Sequence, residues 1–85
     1  MALKLRPGVF EAETEYGIVL LDGDSGRYYD LNESGAMVLR TLLSGGTAGQ
    51  AAEALTKEYA VSLAEATQDV EDLLTHLRTT QMVES

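Results

Sequence analysis

Side chains that could act as nucleophiles, bases or metal ligands are few in this sequence. His76 is the only histidine, and the chain has no cysteine. Because zinc sites in proteins take most of their ligands from histidine and cysteine, we expect no zinc site. A nucleophilic triad would need His76 as its base, on the flank of a helix, so we expect His76 to be a surface residue rather than a catalytic one.

Carboxylates occur in groups that can, in principle, do acid–base work or bind cations. In the C-terminal third of the chain, Asp69 follows Glu65 by four residues and precedes Asp72 by three, so a helix would bring them to one flank. Without a deep pocket, such a flank is usually a solvated charged face. The run Asp22–Gly26 lacks the distal glutamate of a calcium loop and is typical of a hairpin turn. We therefore predict no enzyme activity, no metal and no cofactor.

The balance of charge narrows the class of partner. The chain has 85 residues, of which 14 are acidic and 6 basic, and a net charge of −8. This excess disfavours nucleic acid and anionic membranes and favours cationic or mixed-charge partners, although acidity can equally serve solubility alone. The length suits one domain, which we place at residues 1–85. The lack of cysteine predicts a cytoplasmic protein, and no apolar run approaches the roughly 20 residues that span a bilayer.

Hydrophobic patterning divides the chain near Asn32 into a strand-like part and a helical part. Strands are predicted at about 3–14, interrupted near Pro7, at 17–21 and at 27–31. The second strand is apolar throughout, which predicts a central strand covered on both faces. The third mixes aromatic and charged residues, which is typical of an edge strand.

Three helices are predicted to follow the strands. They begin after Asn32, at Thr47 and at Ser62, and in the last two a glutamine or glutamate three residues later predicts a capping box. The first ends at Gly45–Gly46, and the third runs to about Thr79. The predicted fold class is α+β, a three-stranded antiparallel sheet followed by three helices in a winged helix-turn-helix-like arrangement.

The third strand and the third helix together predict a peptide-binding cleft. The third strand of a meander has one unpaired edge, which can accept an added strand. Alternation places Arg27, Tyr29 and Leu31 on the inward face, and Tyr28 and Asp30 on the other. On the helix, an apolar stripe adjoins an acidic margin, which can seat a peptide with a hydrophobic anchor and nearby lysines. The predicted peptide-binding residues are Arg27, Tyr28, Tyr29, Asp30, Leu31, Ala66, Asp69, Val70, Asp72, Leu73, Leu74, His76 and Leu77.

The patterns of the third strand and the third helix can also be explained without a bound peptide. The helix can be a plain amphipathic helix with a solvated charged face, and the two tyrosines can serve only to pack the sheet. The helix–turn–helix topology also permits a DNA-binding regulator. Against that function, the third helix carries four carboxylates and a single arginine, Arg78, whereas a DNA reader needs a basic surface. A general protein-interaction subunit with an unrelated partner is a further alternative.

A set of motifs resembles the PqqD-like family, the recognition elements of ribosomally synthesised and modified peptides. The motifs are an apolar strand ending in Leu20–Asp22, the segment Gly26–Asn32 with the pattern G-x-Y-Y-x-L-N, then Gly35 and Leu39 in the first helix. The resemblance covers nearly the whole chain. Within the family, the chain is most similar to the discrete leader-binding proteins of lasso-peptide pathways.

The resemblance implies a non-catalytic adaptor with defined partners. It implies that the leader of a precursor peptide adds to strand 27–31 and lies against helix 63–79. Residues 28–31 match the family's strand positions, and Val70, Leu73, Leu74 and Leu77 match its helix positions. In such pathways a transglutaminase-like cysteine peptidase removes the leader before a cyclase closes the ring, so both enzymes are implied partners.

Overall fold

The computed structural model describes residues 3–84, in which strands precede helices as the sequence predicts. The strands before the helices are β1 (Lys4–Leu5), β2 (Val9–Thr14), β3 (Gly17–Asp22) and β4 (Tyr28–Leu31); the helices are α1 (Glu33–Leu43), α2 (Ala48–Glu58) and α3 (Leu63–Thr79); a last strand is β5 (Val83–Glu84). The α+β class is confirmed. The single-domain assignment stays a prediction, and its ends at Met1, Ala2 and Ser85 lie outside the described residues.

Strands β2, β3 and β4 form an antiparallel sheet in that order. In its register Leu20 lies opposite Tyr29, and Ile18 lies opposite Leu31. Ile18 and Leu20 are buried, whereas Leu21 on the other face is 44% exposed. The prediction that β3 is covered on both faces is therefore wrong, because the core lies against one face only.

The predicted first strand is two separate strands in different sheets. The chain breaks at Pro7 and at Gly8, which has a φ of +91°. After this break β2 joins the three-stranded sheet, whereas β1 pairs with β5, as Leu5 lies opposite Val83. Strands of two residues are too short to show a periodicity, so no pattern in the sequence indicates this β1–β5 pairing.

Side chains cap the start of all three helices. The Asn32 side chain accepts a hydrogen bond from the Gly35 amide (2.9 Å) at the start of α1, and the Ser62 hydroxyl accepts one from the Glu65 amide (3.1 Å) at the start of α3. Thr47 and Gln50 form the predicted reciprocal capping box. The second predicted box is incomplete, because the Glu65 carboxylate bonds to the Ser62 hydroxyl instead of the Ser62 amide.

The core lies between the inner face of the sheet and the helices, and it includes the C-terminal residues. Its most deeply buried large side chains are Ile18, Leu20, Leu39, Val70, Leu77 and Met82. Because the helices cover only the inner face, β4 is left at the border between this core and solvent.

Candidate functional site

The outer edge of β4 presents main-chain groups of two residues. The Asp22 amide donates to the Arg27 carbonyl at 2.8 Å, so Arg27, Tyr29 and Leu31 direct their main-chain groups toward β3. The N–H and C=O groups of Tyr28 and Asp30 therefore point away from the sheet. Among residues 3–84, β3 is the only strand paired with β4. An added strand can bond to Tyr28 and Asp30 without breaking any bond of the existing sheet.

Side chains of β4 alternate between the two faces as predicted. Leu31 is buried and Tyr29 half-buried on the inner face, whereas Tyr28 and Asp30 are exposed on the outer face. A residue whose N–H and C=O groups point to the open edge therefore has its side chain on the outer face. Tyr28 and Asp30 consequently offer main-chain bonds to a partner, while Tyr29 and Leu31 offer side-chain contacts.

An open cleft of about 910 Å³ adjoins the inner side of β4. Its volume falls within the range of roughly 300–1,000 Å³ that is typical of ligand pockets. Five parts of the chain line it: the β2–β3 turn, β4, the start of α1, the end of α2 with the following loop, and the middle of α3. The lining residues are Thr14, Tyr16, Tyr29, Asp30, Leu31, Asn32, Ser34, Gly35, Val38, Leu55, Tyr59, Val61, Asp69, Leu73 and His76.

Helix α3 contributes one stripe of side chains to this cleft. Asp69, Leu73 and His76 follow at intervals of four and three residues, so they share a face of the helix. Leu73 is half-buried, and its two neighbours in the stripe are exposed. Asp30 borders the cleft from β4, but its side chain lies on the outer face, so Asp69 is the acidic member of this stripe beside the apolar walls. This combination suits an apolar anchor that has a cationic neighbour.

Not all of the predicted helix residues reach the cleft. Ala66, Val70 and Leu77 have no exposed surface and pack in the core behind the cleft wall. Leu74 is half-buried, Asp72 is exposed, and neither lines the cleft. The Asp72 carboxylate accepts a hydrogen bond from Gln68 Nε2 at 2.9 Å. The three core residues have no surface to offer a peptide, and Leu73 is the leucine of α3 that lines the cleft.

Arg27 lies beside the cleft and contacts residues outside β4. Its guanidinium donates to the Thr80 carbonyl at 3.3 Å, across the gap between the start of β4 and the C-terminal end of α3. It also lies 4.0 Å from the Asp22 carboxylate. Arg27 is absent from the cleft lining, and its hydrogen bond connects the start of β4 with the end of α3.

Asp22 organises the turn that leads into β4. Its carboxylate is only 2% exposed and accepts from the Ser25 hydroxyl at 2.9 Å, the Asp24 amide at 3.0 Å and Arg6 Nη2 at 2.8 Å. The Ser25 hydrogen bond, then the Asp24 amide and the Arg6 charge, hold the pKa of Asp22 below its ordinary value, against the opposing effect of burial. This ionised carboxylate fixes the hairpin from which the open strand begins.

Sequence reasoning missed the end of the cleft that lies beyond β4. Tyr16 in the β2–β3 turn, Tyr59 at the end of α2 and Val61 in the following loop all contribute to it. The only signal was an aromatic residue in a tight turn, and Tyr16 is indeed 75% exposed. Gly35, which the family motif includes, lies in a tightly packed position, since a Cβ there would be 3.3 Å from Leu31 Cδ2 and Asn32 Oδ1.

Metal sites and membrane-spanning segments are two further features that bear on function. The described part of the chain holds no cluster of three or more histidine, cysteine or acidic residues placed to bind a metal ion. Within residues 3–84, none of the helices has the length and apolar character needed to cross a membrane.

Comparisons with known proteins agree on one relationship. The family model described as coenzyme PQQ synthesis protein D (PqqD) matches residues 17–83. A structure of lasso peptide synthetase B1 complexed with the leader peptide is 39% identical, covers 100% of both chains and superposes with a TM-score of 0.93. A structure of TbiB1 in complex with the TbiA(beta) leader peptide is 26% identical, covers 96% of this chain and 95% of the other, and has a TM-score of 0.85. A comparison with curated protein sequences gave no match.

Proposed function

The chain belongs to the PqqD family, and we propose that it is a non-catalytic adaptor that binds the leader segment of a ribosomally synthesised precursor peptide. The observation that carries this proposal is the open edge of β4 beside an apolar cleft closed by α3. The two similar structures add support, since each was solved with a leader peptide.

The leader binds by strand addition in this proposal. The main-chain groups of Tyr28 and Asp30 supply two donors and two acceptors to an extended peptide. These bonds give affinity without regard to sequence, so selectivity has to come from side chains. Every second side chain of the peptide would enter the cleft between Tyr29 and Leu73, and the next part of the peptide would reach Tyr16 and Tyr59.

Charge is expected to select among peptides with the same apolar pattern. Asp69 lies on the α3 wall of the cleft, Asp30 extends from the outer face of β4, and the whole chain has a net charge of −8. A leader with a lysine or arginine near its apolar anchors would therefore associate faster, and added salt would slow that association. The same charge disfavours the DNA-binding alternative.

The adaptor has to pass its cargo to an enzyme. We infer that a transglutaminase-like cysteine peptidase cleaves the leader while the adaptor holds it, and that a cyclase acts afterwards on the released core peptide. The adaptor itself positions the precursor peptide and takes no part in the cleavage reaction. We place this step in the cytoplasm, and the lack of cysteine suits a reducing compartment.

A proline at position 30 tests strand addition. Asp30→Pro removes the outward N–H, and proline is tolerated on an edge strand where its missing N–H would face solvent. We expect at least a ten-fold loss of affinity for a fluorescent leader peptide encoded by a neighbouring small reading frame. Asp30→Ala is the matched control, which removes the carboxylate but keeps the N–H, and its loss should be about three-fold or less.

The two variants separate main-chain pairing from charge. Equal losses for Asp30→Pro and Asp30→Ala would mean that the outward N–H does not bond to the peptide. A scrambled peptide and duplex DNA complete the experiment, and equal affinity for the scrambled peptide would contradict leader recognition.

A further inference from the structure

The cleft has one wall on β4 and another on α3, and different parts of the fold hold these two walls. Within residues 3–84, the elements that pack closely against α3 are α2, α1 and β5, whereas β4 packs against β3 and α1. In that part of the chain, no extensive contact joins the two walls directly. The distance between them therefore has to be set at the ends of the cleft.

A hydrogen bond from Arg27 spans one of these ends. Its Nη2 atom donates to the Thr80 carbonyl at 3.3 Å. Arg27 lies two residues before Tyr29, the first inner-face residue of β4 that lines the cleft. Thr80 lies about one helical turn after His76, the last cleft residue of α3. In the described part of the chain, no other hydrogen bond joins β4 and the residue before it to α3 and its cap.

The guanidinium of Arg27 is itself held in place by a buried carboxylate. Its Nη2 atom lies 4.0 Å from Asp22 Oδ2. The same carboxylate oxygen accepts from Arg6 Nη2 at 2.8 Å, and Arg6 Nε donates to the Gln81 carbonyl. Two guanidinium groups that share one carboxylate thus bond to the consecutive carbonyls of Thr80 and Gln81. Carbonyls at the end of a helix have no partner within the helix, so these bonds fix the position of that end.

We propose that Arg27 is a positioning residue of the leader site, which sets the distance between β4 and α3 so that a strand added to β4 brings its apolar anchor against Leu73. This inference rests on the proposed function, because it gives a role in leader binding to a side chain that does not line the cleft. Without the bond to Thr80, α3 would still pack against α2 and the fold would remain. The end of α3 would then have to be ordered when the leader binds, at a cost in affinity.

Charge alone predicts the opposite effect. Removal of the Arg27 guanidinium makes an acidic chain more acidic, which should strengthen its attraction for a cationic leader. Loss of the positioning bond should instead weaken leader binding. Arg40 is the matched control, because its side chain is 51% exposed against 56% for Arg27, and it pairs with Glu13 at 3.2 Å outside the cleft lining.

The experiment compares Arg27→Met, Arg27→Lys and Arg40→Met with the parent protein. Methionine keeps an unbranched apolar stem without a donor, and lysine keeps a cationic donor on a long stem. The affinity and the dissociation rate are measured for the fluorescent leader peptide, and the free energy of unfolding is measured in urea. Arg27→Gln, whose side chain is too short to reach Thr80, serves if Arg27→Met is unstable.

We expect Arg27→Met to lose about five-fold or more in leader affinity, mainly through faster dissociation, and Arg27→Lys to stay within about two-fold of the parent. Arg40→Met should bind leader at least as well as the parent. The two methionine variants should be equally stable, since each loses one exposed polar contact. Parent-like or tighter binding by Arg27→Met would overturn the inference and leave the proposed function intact. An equal loss in Arg40→Met, or in Arg27→Lys, would overturn it as well.

A double-mutant cycle with Leu73→Ala separates positioning from direct contact with the peptide. If Arg27 acts by placing the α3 wall, Arg27→Met should cost less than about two-fold in affinity once the Leu73 side chain is gone. An undiminished loss in the Leu73→Ala background would mean that Arg27 bonds to the peptide itself, and would overturn the inference. Failure of the parent protein to bind leader would refute the proposed function, and this inference with it.

Discussion

Leu73 and Leu74 are neighbouring, half-buried leucines that differ in what they face. Leu73 lines the cleft, whereas Leu74 packs against the core without reaching it. We expect Leu73→Ala to weaken leader binding by about 2 kcal/mol, or roughly 30-fold, because an apolar anchor of the peptide loses its contact. Leu74→Ala should change the affinity by less than about three-fold. Isothermal titration with the leader peptide measures both.

The free energy of unfolding is the control measurement for Leu73→Ala and Leu74→Ala. Both substitutions remove a similar apolar area, so both should lower the free energy of unfolding by about 1–2 kcal/mol. A comparable loss of leader affinity in the two variants would indicate a general effect of destabilisation and would contradict the assignment of Leu73 to the site.

Asp22 predicts a specific dependence of stability on pH. Because its pKa in the folded protein is lower than the unfolded value near 3.8, its ionised form stabilises the fold at all pH values above that figure. This stabilisation falls as the pH drops below about 3.8 and is lost once the pH passes the folded pKa. Urea unfolding of the parent and Asp22→Asn should therefore differ at neutral pH and converge in acid.

Asp24→Asn provides the comparison for Asp22. The Asp24 side chain is 79% exposed and lies 3.9 Å from Arg6, so its replacement should have little effect at any pH. If Asp22→Asn and the parent differed equally at all pH values, the contribution of Asp22 would come from packing rather than from its charge.

At the scale of elements, Gly17 fixes the junction between β3 and the end of β4. A Cβ at this position would lie 1.9 Å from the Leu31 carbonyl oxygen, so a side chain would force the backbone of β4 to move. We expect Gly17→Ala to lower the free energy of unfolding by about 3 kcal/mol. Chemical denaturation followed by circular dichroism measures this loss.

Gly26 provides a comparison in which an added side chain would strain the backbone but would not clash with any neighbour. A Cβ there meets nothing within 4 Å, although the φ of +76° favours glycine. Gly26→Ala should therefore cost only about 1 kcal/mol, from backbone strain alone. A cost at Gly17 no larger than at Gly26 would show that the close approach to Leu31 does not constrain the strand.

Elements with strong local signals were predictable from the sequence. The caps at Asn32, Thr47 and Ser62 set the helix starts, and alternation gave the faces of β4 correctly. Coverage of β3 was not predictable, because an unbroken apolar run looks the same whether one or both faces are buried. Its residue Leu21 points outward and is 44% exposed.

At the scale of the whole molecule, the site was only partly predictable. The strand and helix stripes placed Tyr29, Asp69 and Leu73 at the cleft, since each lies on an element whose local geometry is regular. Tyr16 and Tyr59 were missed because the tertiary packing of the β2–β3 turn and α2 brings them there. Val70 and Leu77 were included from the resemblance, and the packing of α3 against the other helices and the C-terminal strand leaves them without exposed surface.

The two faces of the three-stranded sheet carry different groups of side chains. One sheet face carries the core and the cleft, and the other face exposes Phe10, Leu21 and Tyr28. The strand β4 belongs to both surfaces, with Tyr29 on one and Tyr28 on the other.

Residue-resolved amide hydrogen exchange of the protein, with and without leader peptide, tests the central claim most directly. In the free protein the amides of Tyr29 and Leu31 should exchange slowly, because they bond to β3, and those of Tyr28 and Asp30 should exchange fast. A saturating leader peptide is expected to slow exchange at Tyr28 and Asp30 by at least ten-fold. Saturated binding that leaves both of these amides exchanging as fast as in the free protein would contradict strand addition at β4.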